Sequence, residues 1–433
     1  MFSRLKKNFN KDALNGYFFI HIPKTAGTSF ITLLDTIVAE NEIFPCQLWH
    51  EINQKVIDRK KQYKLLRGHF GGGSYKLLCE NTPHRLTILR HPQSLTLSTY
   101  HFIKREKNTA VHDLVNNNEM SLVDFLNEPL TSTKIENRMV RHLSFDLQED
   151  PEAQELFLSE QSVKVIEKWI KTPKIITPQK RLKRALKVID ECSWFGIQER
   201  FDESMQLFCY RFNLPPVGKS PKLNVFEAKE RVDETCENLI SKHNLLDIEL
   251  YRYASKKFSH SYEKMCAQLK NDFGKNFEID ELIDLNYKKN HTPSIENTIN
   301  FDFSGKLLGN GWNRRELTHP ENTFFRWTSR KDSWIDFWVE NKSFELSLRI
   351  INAVTEEHLN KLDLQINSES IPYHYDTSNG VVRILKTQIP QNLIENNLIR
   401  ITFKLPPIQL HSQSFNSDDK RPVGLAINWI KLN

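Results

Sequence analysis

Lys24, Thr25, Ala26, Gly27, Thr28 and Ser29 form the run KTAGTS, directly after the apolar stretch YFFIHI and Pro23. Small and hydroxyl residues around one lysine, set where a strand gives way to a helix, suit an anion. The first helical N–H groups are unpaired, and the helix dipole favours negative charge there. Gly27 lets the backbone approach closely, and Lys24 adds a mobile cation for a phosphate or a leaving oxygen. The same residues also make an ordinary βα turn with a capping serine. A second set lies in RLTILRHPQSLTLSTYHF, where Arg90 closes an apolar run and Ser98 follows eight residues later. An arginine fork and a hydroxyl converging on one phosphate are a recognition pair. Taken singly, Arg90 equally suits a structural ion pair, and Ser98 a plain helix position. A third feature is His69 in KLLRGHFGGGSY, between a short apolar run and three glycines, where a side chain can project into a cleft as a general base. A loop histidine is the plain alternative, with His50, His84, His91 and His101 as rivals.

These residues need a scaffold that brings separate strand ends together. YFFIHI and RLTILR read as buried strands. SFITLLDTIVAE, SLVDFLNEPL, PEAQELFLSEQSVKVIEKWI and RLKRALKVIDEC read as helices. That alternation predicts an α/β fold, a P-loop-like parallel sheet flanked by helices, with Arg90 at a C-terminal strand edge where such sheets bind ligands. The Walker pattern is absent, because the lysine precedes the only glycine of the loop. RLTILR ends in arginine and not in a magnesium-holding aspartate, and Asp190 in ALKVID falls on a surface helix. A donor handled without metal is the expectation.

Residues 269–299 are polar, rich in Asn and Lys, and read as a linker between a domain over 1–268 and one over 300–433. The last domain alternates with period two: Phe344, Leu346, Leu348 and Ile350; Leu362, Leu364 and Ile366; Ile399, Ile401, Phe403 and Leu405. Turn signals at Asn379–Gly380 and Pro406–Pro407 separate these runs, which predicts an all-β sandwich. Trp312, Trp327, Trp334 and Trp338 with Arg314, Arg315 and Arg326 can offer stacking faces and cations to a glycan, although core packing is the plainer use of tryptophan.

With 433 residues, 39% hydrophobic and 26% charged, the chain can bury a large core, and its net charge of +6 suits anionic ligands without implying a nucleic-acid groove. No run approaches the roughly 18 apolar residues of a membrane span, and the basic leader lacks an apolar signal core. Six cysteines without a C-x-x-C pair argue against zinc or a disulfide scaffold, so reduced thiols and a cytoplasmic location are expected.

HIPKTAGTS together with LRHPQSLTLSTYHF resembles the two cofactor motifs of the PAPS-dependent sulfotransferases, in the branch of the heparan sulfate 2-O-sulfotransferases and related carbohydrate sulfotransferases. The resemblance implies that Lys24, Thr25, Ala26, Gly27, Thr28 and Ser29 hold the 5′-phosphosulfate of PAPS and that Arg90 and Ser98 hold its 3′-phosphate. It implies His69 as base, Lys24 as a second catalytic group, no metal, and a glycan or glycolipid acceptor. IENRMVRHLS, WFGIQERFDESMQLFCYRF and HNLLDIELYRYASKKF resemble later segments of the family, so the likeness covers roughly residues 17–260. The chain departs from the pattern at Leu95 and Thr96, where a second arginine often falls, and at Arg67, where that branch carries a second histidine. The GW…RWT pattern and VGLAINWIKL look like small β-sandwich domains appended to bacterial glycan-processing enzymes. Two rivals remain: a small-molecule kinase on the same fold, which needs an aspartate–magnesium pair, and a non-catalytic glycan- or nucleotide-binding protein.

Overall fold

The computed structural model describes residues 16–53, 55–56, 63–79, 81–151, 153–158, 162–218, 232–291, 293–379 and 382–433. These fall into two compact units. The first comprises the described residues of Met1–Ile31, Asn41–Leu207 and Asn224–Met265; the second those of Thr32–Glu40, Phe208–Leu223 and Cys266–Asn433.

The first unit is built on β1 (Tyr17–Ile20), β2 (Leu65–Gly68), β3 (His84–Leu89) and β4 (Trp194–Ile197), a parallel sheet of order β2-β1-β3-β4. Tyr17 pairs with Leu65 on one side and with His84 on the other, so the ends of β1, β2 and β3 lie side by side. These strands read as continuous apolar runs because they are covered on both faces: Phe18, Phe19, Leu65, Leu86 and Ile88 are fully buried. The covering helices include α1 (Gly27–Leu34), α2 (Pro92–Arg105), α3 (Arg138–Ser144), α4 (Pro178–Glu191) and α5 (Leu245–Phe273). One core joins Phe18, Ile20 and Ile197 of the sheet to Met139 and Leu143 of α3, Leu182 and Ile189 of α4, and Leu250 and Phe258 of α5.

The expected helix over SFITLLDTIVAE stops at Leu34, because Thr36 and Ile37 turn back to bond the Leu33 and Leu34 carbonyls. Asp190 lies on α4, exposed, and pairs with Lys257 as a surface residue does.

The expected linker over 269–299 is helical for most of its length. α5 runs to Phe273, and α6 (Ile279–Asn290) buries Leu282, Ile283 and Tyr287. Beyond it the second unit is antiparallel. One sheet contains β5 (Ile299–Phe301), β7 (Glu316–Leu317), β8 (Phe324–Trp327), β10 (Phe344–Ala353), β13 (His374–Asn379), β14 (Val382–Ile389) and β16 (Leu425–Leu432). The other contains β6 (Gly309–Asn310), β9 (Asp332–Trp338), β11 (Asp363–Ile366), β12 (Glu369–Ser370) and β15 (Leu398–Lys404). The period-two residues point inward as the alternation requires. Leu346, Leu348 and Ile350 of the first sheet share a core with Ile335, Leu364, Ile399 and Phe403 of the second. The turn expected at Asn379–Gly380 lies partly outside the described residues.

α6 is seated by charge as well as by its apolar face. Arg400 on β15 bonds both oxygens of Asp336 (2.7 and 2.8 Å) and both of Asp284 on α6 (2.8 and 2.7 Å), with its guanidinium 3.6 Å from the Trp334 ring. Asp336 is buried, so this arginine supplies the countercharge its carboxylate needs.

Candidate functional site

The C-terminal ends of β1, β2 and β3 converge on one loop, residues 21–26, between β1 and α1. Lys24 and Ala26 take left-handed backbone angles, φ 71° and 66°, which cost non-glycine residues about 1–2 kcal/mol each. Local bonds hold that strain. The Thr25 hydroxyl, fully buried, donates to the Ile22 carbonyl at 2.8 Å, and the Phe30 N–H bonds the Ala26 carbonyl at 3.2 Å. Gly27 has a steric reason to be glycine: a Cβ there would lie 2.1 Å from the His21 ring. Thr28 and Ser29 stand exposed in the first turn of α1.

Arg90 follows β3 and reaches across to this loop, donating from Nη1 to the Lys24 carbonyl at 2.9 Å. Two motifs far apart in the chain are therefore one structure. Ser98 lies half-buried on α2, as the spacing predicts. The Arg90 Nε is buried without a hydrogen-bond partner. Glu199 accepts from the His91 N–H at 2.9 Å and from the Tyr251 hydroxyl at 3.0 Å, at the start of α2.

His69 sits one residue beyond β2, with its Nδ1 2.7 Å from the His21 carbonyl. A carbonyl can only accept, so Nδ1 carries the proton and Nε2 presents a lone pair. The two imidazoles stack with centroids 4.4 Å apart. Burial lowers the His69 pKa to about 4, with Arg138 pushing the same way against the His21 carbonyl. Burial lowers His21 well below the usual histidine range, with His69, Arg138, Arg67 and Lys24 adding to it.

Lys24 lays its ammonium 4.2 Å from the Phe102 ring centre, a cation–π contact made by α2. Burial lowers its pKa, followed by repulsion from Arg105, Arg138 and Arg90. Lys24, Arg90, Arg105 and Arg138 together make the site electropositive. Among the described residues no group of three or more histidine, cysteine or carboxylate side chains is gathered as a metal would require.

The structure thus brings together Lys24 to Ser29, Arg90 and His69 around one group of strand ends, with Ser98 on the helix that leaves it. The sequence reading missed His21 and Arg138. His21 was quoted at the end of the strand run and at the head of HIPKTAGTS but was given no role. Arg138 lies within IENRMVRHLS, a segment noted for its resemblance, but nothing local marks this arginine as the one bonded to α2 with its charge acting on the loop.

Of the tryptophans weighed for a glycan face, most have the plainer use, core packing. Trp312, Trp327 and Trp338 are buried at 8%, 4% and 8% exposure, so they are core. Arg326 is fully buried and donates to the Asn313 carbonyl, while Arg315 bonds Glu40 and the carbonyls of Val38 and Gly305. Both guanidiniums are occupied within their own unit. Of that cluster Arg314 is exposed and Trp334 half-buried under Arg400.

No protein-family model matches the chain, and no curated protein matches it. Among the described residues no helix is long and apolar enough to cross a membrane.

Proposed function

We propose that the chain transfers the sulfuryl group of PAPS to a hydroxyl of a carbohydrate acceptor, from a P-loop-like α/β unit followed by a β-sandwich. The observation that carries this reading is the Arg90–Lys24 hydrogen bond, which makes one site of the two motifs that resemble the sulfotransferase cofactor motifs. The buried, unpartnered Arg90 Nε fits an anionic nucleotide, and Gly27 lets the loop backbone pack against the His21 ring. The single core shared by the two antiparallel sheets supports the sandwich reading. The acceptor class rests on the resemblance alone.

In this reading Lys24 and the N–H groups opening α1 hold the 5′-phosphosulfate, and Arg90 with Ser98 holds the 3′-phosphate. The His69 Nε2 lone pair takes the acceptor hydroxyl's proton. The acceptor oxygen forms its bond to sulfur as the bridging sulfur–oxygen bond breaks, and Lys24 neutralises the oxygen left on the nucleotide. With its pKa near 4, His69 is neutral at pH 7 and so holds that lone pair ready; an anion bound beside it raises its basicity. Six free thiols, with Cys79, Cys192 and Cys209 pushed up to about 12 by burial, suit a reducing, cytoplasmic setting.

Titration calorimetry in the presence of chelator tests the donor. PAP should bind at least tenfold more tightly than adenosine 5′-phosphosulfate; equal affinities, or strict dependence on magnesium, would return the kinase reading. His69→Ala should lose roughly 10²-fold in turnover with PAP affinity retained, and Lys24→Ala should damage both.

A further inference from the structure

Arg138 is the first residue of α3, and its backbone is pinned from both sides. Asn137 before it is left-handed at φ 39°, and its Oδ1 accepts the Leu246 and Asp247 N–H groups at the start of α5, at 2.9 and 3.3 Å. In return, Asp247 accepts the Met139 and Val140 N–H groups at 2.9 and 2.8 Å. Each helix start is capped by a side chain from the other.

The side chain is aimed by Thr99 on α2. That hydroxyl donates to the Leu95 carbonyl at 2.8 Å, so its oxygen is left to accept from Arg138 Nη1 at 2.9 Å. Among the described residues no other acceptor meets the guanidinium, and no carboxylate lies within ion-pair distance of it. Asp247 is the carboxylate that acts on it electrostatically, and both Asp247 oxygens are engaged by backbone N–H groups. Arg138 in turn repels Lys24, His21, His69, His142 and Lys134, each of which it makes harder to protonate. Arg138 is a half-buried cation held among cations without an ion-pair partner among the described residues, a charge that a bound anion would balance.

We propose that Arg138 is a further anion-binding residue of this site, its free N–H groups directed to the non-bridging oxygens of the group that is transferred. The assignment to the transferred group rests on the transferase reading above; the anion pocket itself does not. Arg138 is bonded to Thr99, one turn of α2 before Phe102, whose ring meets the Lys24 ammonium, so it stands beside a residue read as flanking the breaking bond, its charge also reaches His69, and a planar donor fork matches the oxygens of a sulfuryl group.

Thermal unfolding of the full chain, read in sodium sulfate and in sodium pyrophosphate against sodium chloride at equal ionic strength, tests the pocket without any nucleotide. Both oxyanions should raise the Tm of the wild type, Arg138→Met should lose that increment, and Arg138→Lys should keep part of it. Thr99→Val, which leaves the arginine in place but unaims it, should weaken the increment and guards against a folding defect in Arg138→Met. An increment undiminished in Arg138→Met, or an adventitious ion effect equal in all four proteins, overturns the pocket. Turnover then tests the finer assignment. Arg138→Met should lower kcat by roughly 10²-fold while PAP affinity stays within about threefold of wild type. A rise in acceptor KM alone would move Arg138 to the acceptor, and a loss of PAP affinity alone would move it to the nucleotide; either overturns the assignment. Absence of PAP binding in the wild type would refute the transferase reading, while the sulfate increment would still decide the pocket.

Discussion

Replacing His69 by glutamine removes one titrating imidazole while leaving a side-chain N–H able to reach the His21 carbonyl, and this isolates what burial of that ring contributes to stability. The ring's pKa is about 4 in the folded protein against 6.5 for a free histidine, so the folded state resists the proton that the unfolded state accepts. A group depressed on folding contributes stability that is fully present above 6.5 and is lost as pH falls toward 4. Linkage gives the size: about 2 kcal/mol lost between neutral pH and pH 5, and about 3 kcal/mol by pH 4. His21 and His142 shift in the same direction, so the wild type loses more than this in total, and the informative quantity is the difference between the proteins. Urea unfolding at pH 7.5 and pH 5 should show the wild type losing roughly 2 kcal/mol more than His69→Gln. Equal losses in the two proteins would mean that His69 titrates normally, and the account of it as a buried neutral imidazole with a bare Nε2 would fall.

Arg400→Met should destabilise the second unit by about 3–5 kcal/mol, because it strands the Asp336 and Asp284 carboxylates. Calorimetry should locate the loss in one of two transitions, with part of it recovered at acid pH as the stranded carboxylates take protons. Gly27→Ala places a methyl 2.1 Å from the His21 ring and should abolish measurable PAP binding while the second unit's transition keeps its Tm. Unchanged PAP affinity in that variant would show that the loop tolerates a displaced His21.

What the sequence made legible was local. β1 and β3 announced themselves as apolar runs because strands buried on both faces have no polar side to show, and the hydroxyl-rich loop after β1 followed from the change of texture at Pro23. Arg90 and Ser98 could be placed because the first ends a strand and the second lies two turns into the next helix. Arg138 could not, since its position depends on Asp247, 108 residues from Met139, which it caps. α6 was read as linker for a similar reason. Leu282, Ile283 and Tyr287 form a thin apolar stripe diluted by Asp, Asn and Lys, and much of what seats the helix is Asp284 meeting Arg400, 116 residues away. Tryptophans and arginines near the start of the second unit have the composition of a sugar-binding face. Only the sheet register reveals that Trp327 pairs inward beside Ala426, and that Arg326 is a buried donor to the Asn313 carbonyl.

The mutual capping of α3 and α5 gives the site a built-in reporter. Amides in the first turn of a helix ordinarily exchange with solvent deuterium almost freely, because nothing inside the helix accepts them. Here the Met139 and Val140 amides are held by a carboxylate on another helix, so their exchange is gated by separation of α3 from α5 and not by fraying of α3. Those two amides lie immediately after Arg138. Their exchange rates therefore clock how often the arginine's support opens, and a ligand that draws the guanidinium into contact should slow both together.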